Sequence, residues 1–438
     1  MCCGRGAVRR RIISRTTTDD CADPRCRELN SVDTGKNPSA QRRRGILAGV
    51  SSNVLVLGVV SLLMDMSSEM IYPILPLFLV SIGATGLFIG LIEGAAETTA
   101  SLLKVVAGWY SDRYQRRKPF VLGGYGASSL IKPVLIFATS PWHVLGVRLA
   151  ERVGKGVRSA PRDALIADST PRESRGKAFG FHKAMDSTGA VAGPLVALAI
   201  LALAVGMEDR EAYRTVFIFA TIPAFLAVAV IVAFVREKEV SVKGATGTFA
   251  HEVGTLGRPF WLLLAVMVTF YIGEISYVFF VLQAQANDLS DTAIIVLYIF
   301  FNVVFVFVAL LSGGLSDRFG RKPIIVVSFT VFALTCATMA AAGSVWVLAL
   351  GFTLFGFYKG SSEGVLKAYV VDLIPSNLRG TALGAFHTAV GMVMLPGGII
   401  AGLLWDSYGP WATFSFGGVM AATATVMLVV FVRRTGAT

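Results

Sequence analysis

Twice in this chain a short polar turn of one design interrupts long apolar sequence. The first copy is GWYSDRYQRRKP, Gly108 to Pro119, and the second is GGLSDRFGRKP, Gly313 to Pro323. In each, a glycine stands four residues ahead of an Asp-Arg pair, an aromatic follows, and two or three cations lead into a proline. Asp112 and Asp317 are 205 residues apart in a chain of 438. A turn restated at about half the chain length means that the protein is a tandem of two similar halves, and any fold proposed for it has to carry that duplication.

The sequence on either side of the turns sets the solvent. Apolar residues come in runs of about 20 or more, long enough to cross a hydrocarbon core of about 30 Å as helices. Barrel strands would be half as long and would alternate in polarity. The chain is 54% hydrophobic and 16% charged, against about 25% charged in soluble proteins. The expectation is an all-α integral membrane protein of twelve transmembrane helices in two pseudo-symmetric six-helix bundles. The first span is placed at about 52–82, the sixth at about 214–235 and the twelfth at about 408–433.

Orientation follows from Lys and Arg in the short loops. One side holds the clusters around Arg113, Arg172, Arg236, Arg318 and Arg433, whereas loops 83–86, 140–142, 286–291 and 342–344 carry neither residue. Both termini are therefore expected in the cytoplasm, with the protein in the plasma (inner) membrane. Residues 1–45 read as a polar, basic cytoplasmic tail, 46–235 as the N-terminal half, 236–257 as a cytoplasmic linker, 258–433 as the C-terminal half and 434–438 as a short tail. The net charge of +12 is spread over loops on one side, not gathered in one patch, which argues against nucleic acid as a partner. Four of the five cysteines fall in the first 26 residues, and no disulfide framework is expected.

The duplication runs deeper than the turns. Glu69-x-x-Tyr72 recurs as Glu274-x-x-Tyr277, Lys155 as Lys359, Asp168 as Asp372, and RGKAFG from Arg175 as RGTALG from Arg379. An even number of spans separates each pair, so both copies enter the membrane from the same side, as in parallel repeats.

With these motifs the chain resembles the major facilitator superfamily of secondary transporters. The Gly-x-x-x-Asp-Arg turns match the loops that this superfamily carries between helices 2 and 3 and between helices 8 and 9. Arg152-x-x-x-Gly156 resembles its fourth-helix motif, with Lys155 where Gln is usual. Gly189-x-x-x-Gly193-Pro194 resembles the fifth-helix motif of exporters, although Val196 and Ala197 replace the later glycine pair. The resemblance implies that helices 1, 4, 7 and 10 line a central cavity. It also implies a conformational latch at Gly108, Asp112, Arg113 and Arg116, echoed by Gly313, Asp317, Arg318 and Arg321, with Gly193 and Pro194 serving the same gating.

An ionisable side chain at the bilayer centre costs about 2.5–3.5 kcal/mol, so each one present needs a role. Candidates for a substrate and proton cavity are Asp65, Glu69, Tyr72, Arg152, Lys155, Glu274, Tyr277, Lys359 and Glu363. One reading makes the repeated Glu and Lys residues a site where a carboxylate binds and releases a proton. The competing reading makes them permanent ion pairs, Glu69 with Lys155 among them, with Glu93, Glu97 and Glu151 packing or pairing with Lys104 and Arg152. His182 and His387 lack a metal-ligand partner at helical spacing, and no phosphate-binding glycine loop occurs. No cofactor, metal or enzymatic activity is expected, and energy is to come from an ion gradient, of protons by the acids present, acting on a monomer in the lipid bilayer. The function expected is proton-coupled export of a small molecule by alternating access. Symport or exchange of an anionic metabolite is the alternative, and a non-transporting receptor or scaffold on the same fold is a second.

Overall fold

A computed structural model describes residues 51–114, 116–171, 174–204, 206–237, 253–374 and 378–431, leaving aside the side chains of Asp112, Arg379 and Phe431. The N-terminal tail, most of the linker and the C-terminal tail assigned from sequence lie outside the described residues.

Twelve spans are present, and charge decides how each one reads. Spans 1 to 6 are Ser52–Ser81, Gly86–Tyr114, Lys118–Phe137, Pro141–Asp168, Arg175–Leu203 and Asp209–Phe234. Spans 7 to 12 are Arg258–Ala286, Asp291–Phe319, Arg321–Ala340, Val345–Asp372, Arg379–Tyr408 and Pro410–Phe431. Ten of them, at least over most of their length, are apolar enough to be recognised as membrane-crossing by composition alone. The fourth and tenth are not. They carry Arg148, Glu151, Arg152, Lys155 and Arg158, and Lys359, Glu363 and Lys367, respectively; Arg148, Glu151, Arg152 and Arg158 are buried, and Lys155, Lys359, Glu363 and Lys367 line interior cavities. The sixth span starts at Asp209, earlier than sequence placed it, with Asp209 and Glu211 in its first turn where the helix dipole favours acids.

Spans 1 and 7 break at equivalent places. The first helix of span 1 ends at Ile71 and a second resumes at Leu75, with Pro73 and Pro76 preventing continuous hydrogen bonding. Span 7 breaks between Ile272 and Tyr277. Each interruption sits beside its copy of Glu-x-x-Tyr. Aromatic side chains fill the C-terminal half, where Phe270 stacks on Phe329 at 3.8 Å and Phe280 on Phe355 at 4.3 Å.

Small residues set how closely the spans meet. Span 5 lies against span 1 so tightly that a Cβ at Gly189 or Gly193 would come within 2.6 Å of the Leu62 or Met66 carbonyl oxygen. Between the halves, span 2 lies along span 11. A Cβ at Gly90 would stand 2.0 Å from the Gly398 carbonyl oxygen, and one at Gly402 would stand 2.4 Å from that of Gly86. The halves therefore touch backbone to backbone along this seam.

Candidate functional site

Between the halves lies a chamber of about 400 Å³, walled by spans 1, 2, 4, 7, 8, 10 and 11. It shares Glu69, Tyr72, Lys155, Asn302, Phe305 and Glu363 with a larger vestibule of about 820 Å³. That vestibule continues past Asp65 to Arg162 and Asp163 near the end of span 4 and to Ser316 and Arg321 at the second duplicated turn. Its far end is thus level with the basic loops. On the opposite face the halves are tied together. Asp406 accepts hydrogen bonds from the backbone N–H groups of Gly86 and Leu87, each at 2.8 Å, which places a carboxylate on the N-terminus of span 2. On the same face the Tyr213 hydroxyl donates to Asp291 at 2.5 Å. This conformation is open toward the basic loops and shut on the other side.

The chamber wall contributed by the N-terminal half is a network of arginines and acids. Arg148, almost fully buried, donates to Glu93 at 2.8 Å and to Glu151 at 3.0 Å. Lys132 stands 3.9 Å from Glu151 and donates to Ser67 and Ser68. Arg152 pairs with Glu97 at 2.9 Å. Both guanidinium groups lie over the Tyr72 ring, at 5.0 and 5.7 Å, so the ring faces a doubly cationic surface. Glu93 and Glu151 are thus satisfied by Arg148 and, for Glu151, by Lys132. Lys104, expected from sequence as a partner of these acids, makes no such pair among the described residues.

The two repeated carboxylates differ. Glu274 accepts from the Tyr358 hydroxyl at 2.6 Å and from the Lys359 ammonium on the same oxygen. It is 5% exposed, while Lys359 keeps 35% of its side chain open to the cavity. Glu69 instead accepts from the hydroxyl of Tyr298, in span 8 of the other half, at 2.9 Å. Among the described residues no cation forms an ion pair with Glu69. Lys155, the repeat mate of Lys359, interacts with it electrostatically without reaching it. The internal Glu69–Lys155 pair weighed from sequence is not formed. A local cause is visible in span 4. The position equivalent to Tyr358 is Gly154, where a Cβ would stand 2.4 Å from the Ser128 hydroxyl oxygen, so close packing against span 3 leaves no room for a second hydroxyl donor.

Of the other cavity candidates, Tyr72 and Tyr277 meet across the two halves, with ring centroids 6.0 Å apart, and Tyr277 meets Tyr298 at 5.6 Å. Glu363 lies in the vestibule wall with Lys367 at 3.5 Å. Asp65 also lines the vestibule. It faces Asp186 of span 5, whose carboxylate accepts from Ser61 at 2.8 Å and from Lys183 at 3.0 Å.

The duplicated turns hold one arginine each, and the first of these is not the residue expected. Arg321 donates to Asp372 at 2.6 Å and to Ser316 at 3.1 Å, and pairs with Asp317 at 3.2 Å. In the first copy this place is taken by Arg117, which donates to Ser111 at 2.6 Å and lies 3.5 Å from Asp168. Arg116 is exposed, and the first sequence has one residue more than the second between its Asp-Arg pair and its Lys-Pro end. Arg113 and Arg318 are also exposed and lie over Trp109 and Phe319, each at 5.4 Å. The side chain of Asp112 lies outside the described residues. Gly108 does sit close to span 4, its added Cβ 3.3 Å from that of Ala160, whereas Gly313 has open space. Among the described residues, these contacts each tie neighbouring spans within one half. Tyr298, Tyr358, Arg148 and Asp186 are site residues that sequence reasoning did not place. The first two lie in aromatic-rich runs where a tyrosine reads as packing.

Fold and cavity together define a class, a membrane transporter built from two repeated bundles around a shared polar chamber. The sequence profile of the Major Facilitator Superfamily matches residues 57–285 and 262–438, and the chain belongs to that superfamily. It is 35% identical over 386 residues to an uncharacterized MFS-type transporter of Methanocaldococcus jannaschii, covering 87% of this chain and 95% of the relative. It is 24% identical over 370 residues to the class H tetracycline resistance protein of Pasteurella multocida, covering 81% and 88%. Among solved structures, a POT family transporter in complex with a thioalcohol-conjugated peptide superposes with a TM-score of 0.73 at 12% identity, over 88% of this chain and 99% of that one. This last likeness concerns the fold alone. The protein is a transporter and not an enzyme.

Proposed function

We propose that the protein is a proton-coupled exporter of a small molecule, working by rocking of its two halves about the central chamber. On this reading it sits in the inner membrane with both termini cytoplasmic, so the vestibule described above faces the cytoplasm. It needs no cofactor, since the proton gradient supplies about 2.3 kcal/mol per charge per 100 mV. The observation that carries the reading is the state of Glu69. A partly buried acid held by one hydroxyl from the opposite half changes its surroundings whenever the halves move apart, and a carboxylate with two environments is what coupling to a proton requires. Glu274, clamped within its own half, would keep its environment through the cycle. Asp65 beside Asp186 offers a relay between Glu69 and the cytoplasmic mouth. The duplicated turns and the Gly193-Pro194 contact would steer the motion, with Arg117 in place of Arg116. The tetracycline resistance relative supports export as the direction.

A second reading, symport or exchange of an anionic metabolite, has one observation in its favour. The vestibule lining holds seven cations (Lys104, Lys155, Arg158, Arg162, Lys183, Arg321 and Lys367) against six Asp and Glu residues, a surplus of one. Purified protein in vesicles decides between them, once a panel screen in an efflux-deficient host has supplied a cargo. Antiport predicts accumulation in vesicles that are acidic inside. Accumulation in vesicles that are alkaline inside would establish symport and overturn export by antiport, and flux indifferent to either gradient would remove proton coupling altogether.

A further inference from the structure

The charges around the chamber are not all paired. Glu93 is taken by Arg148 at 2.8 Å, Glu97 by Arg152 at 2.9 Å, Glu274 by Lys359 and Glu363 by Lys367 at 3.5 Å. Two groups are left over among the described residues. Glu69 receives only the Tyr298 hydroxyl, on Oε2, and Lys155 has no hydrogen-bond or ion-pair partner. Both line the chamber, on adjacent walls of the same half, and both also border the vestibule through which a molecule would arrive. The rings of Phe301 and Phe305 of span 8, Tyr72 and Tyr298 line the same chamber.

Glu69 is partly buried with one neutral donor, Lys155 is open to the cavity without an ionic partner, and a ligand of one sign engages only one of them. A purely cationic ligand on Glu69 would sit beside an uncompensated Lys155, and a purely anionic ligand on Lys155 would leave Glu69 exposed. A ligand carrying both signs satisfies both. The rings offer a flat, polarizable surface for its body, and about 400 Å³ suits one compact organic molecule. We infer that the cargo class of this chamber is an aromatic zwitterion, bound with its cationic group on Glu69 and its anionic group on Lys155. The inference rests on the transporter reading above and narrows it. In an antiport cycle the cationic group and the proton would compete for the same carboxylate.

The test is binding to the purified full-length protein in detergent, read by calorimetry, with four naphthalene probes. Naphthylalanine and aminomethyl-naphthoate carry both charges, close together and across the ring, respectively. Naphthylmethylamine carries only the cation and naphthoate only the anion. At least one zwitterion is expected to bind about tenfold or more tightly than either singly charged probe, the equivalent of one lost ionic contact. Glu69→Gln should erase its advantage over naphthoate, Lys155→Met should erase its advantage over naphthylmethylamine, and Lys155→Arg should preserve both. A singly charged probe binding wild-type protein as tightly as both zwitterions overturns the inference. Discrimination that survives Glu69→Gln and Lys155→Met also overturns it, because other side chains would then be reading the charges. If a variant does not fold, the wild-type comparison still decides. No membrane or gradient enters the measurement, so failure of proton coupling and failure of this assignment are told apart.

Discussion

The two halves carry the same Glu and Lys at matching positions and use them differently. In the C-terminal half Glu274, Lys359 and Tyr358 form a closed set within spans 7 and 10. In the N-terminal half Glu69 and Lys155 stay apart, and the acid reaches across the chamber to Tyr298. Duplication supplied two copies of one device, and divergence at neighbouring positions, Tyr358 against Gly154, fixed one copy and left the other responsive. A closed ion pair is a poor sensor, since breaking it strands a buried charge. An acid held by a single neutral donor from a moving partner is a better one.

Several substitutions would break or sharpen this contrast. The largest effect is expected at Glu69→Gln, which should cut gradient-driven flux in vesicles on the order of 100-fold, about 2.7 kcal/mol of barrier, while leaving expression and thermal stability near wild type. Flux within a few fold of wild type would sink the contrast. Glu274→Gln should show the opposite signature, with thermal stability in detergent falling toward or below the lower end of about 3–5 kcal/mol, because Lys359 keeps some solvent contact. If it folds as well as wild type and only coupling is lost, the roles of the two halves are reversed. Gly90→Val should wedge the seam against Gly398 and move the population toward the conformation closed at the basic loops. A shift of about tenfold, readable by labelling single cysteines on each face, corresponds to about 1.4 kcal/mol. The smallest effect is expected for Tyr298→Phe, which removes one hydrogen bond worth about 0.5–1.5 kcal/mol and should alter the pH dependence of flux more than its maximum. An unaltered pH profile would mean that Glu69 does not sense the opposite half through this hydroxyl.

The architecture was legible because membrane helices declare themselves by length and because a repeat of 204 to 205 residues can be counted. The same repeat pointed to Glu69, Glu274, Lys155 and Lys359, all of which line the chamber. Partnership was less legible. Glu69 and Tyr298 are 229 residues apart and meet only because the halves close on one face. Nothing in the aromatic run of span 8 sets Tyr298 apart from its neighbours. The exchange of Arg117 for Arg116 was recoverable. Counted back from Pro119 and Pro323, Arg117 and Arg321 coincide, whereas counting forward from the aspartates hides the insertion of Gln115. Arg148 was visible as a charge and Glu151 lies three residues on in the same helix, yet its bond to Glu93 depends on how spans 2 and 4 rotate against one another.

The seam between spans 2 and 11 has its own consequence. Where Gly90 meets Gly398 and Gly402 meets Gly86, the halves meet on the shut face through main-chain atoms, flanked by the side chains of Trp405 and Asp406, neither of which lines the chamber. Leak-tightness there is independent of which residues decorate the chamber. Relatives built this way could therefore exchange one cargo for another through mutations in spans 1, 4, 8 and 10 without making the membrane permeable.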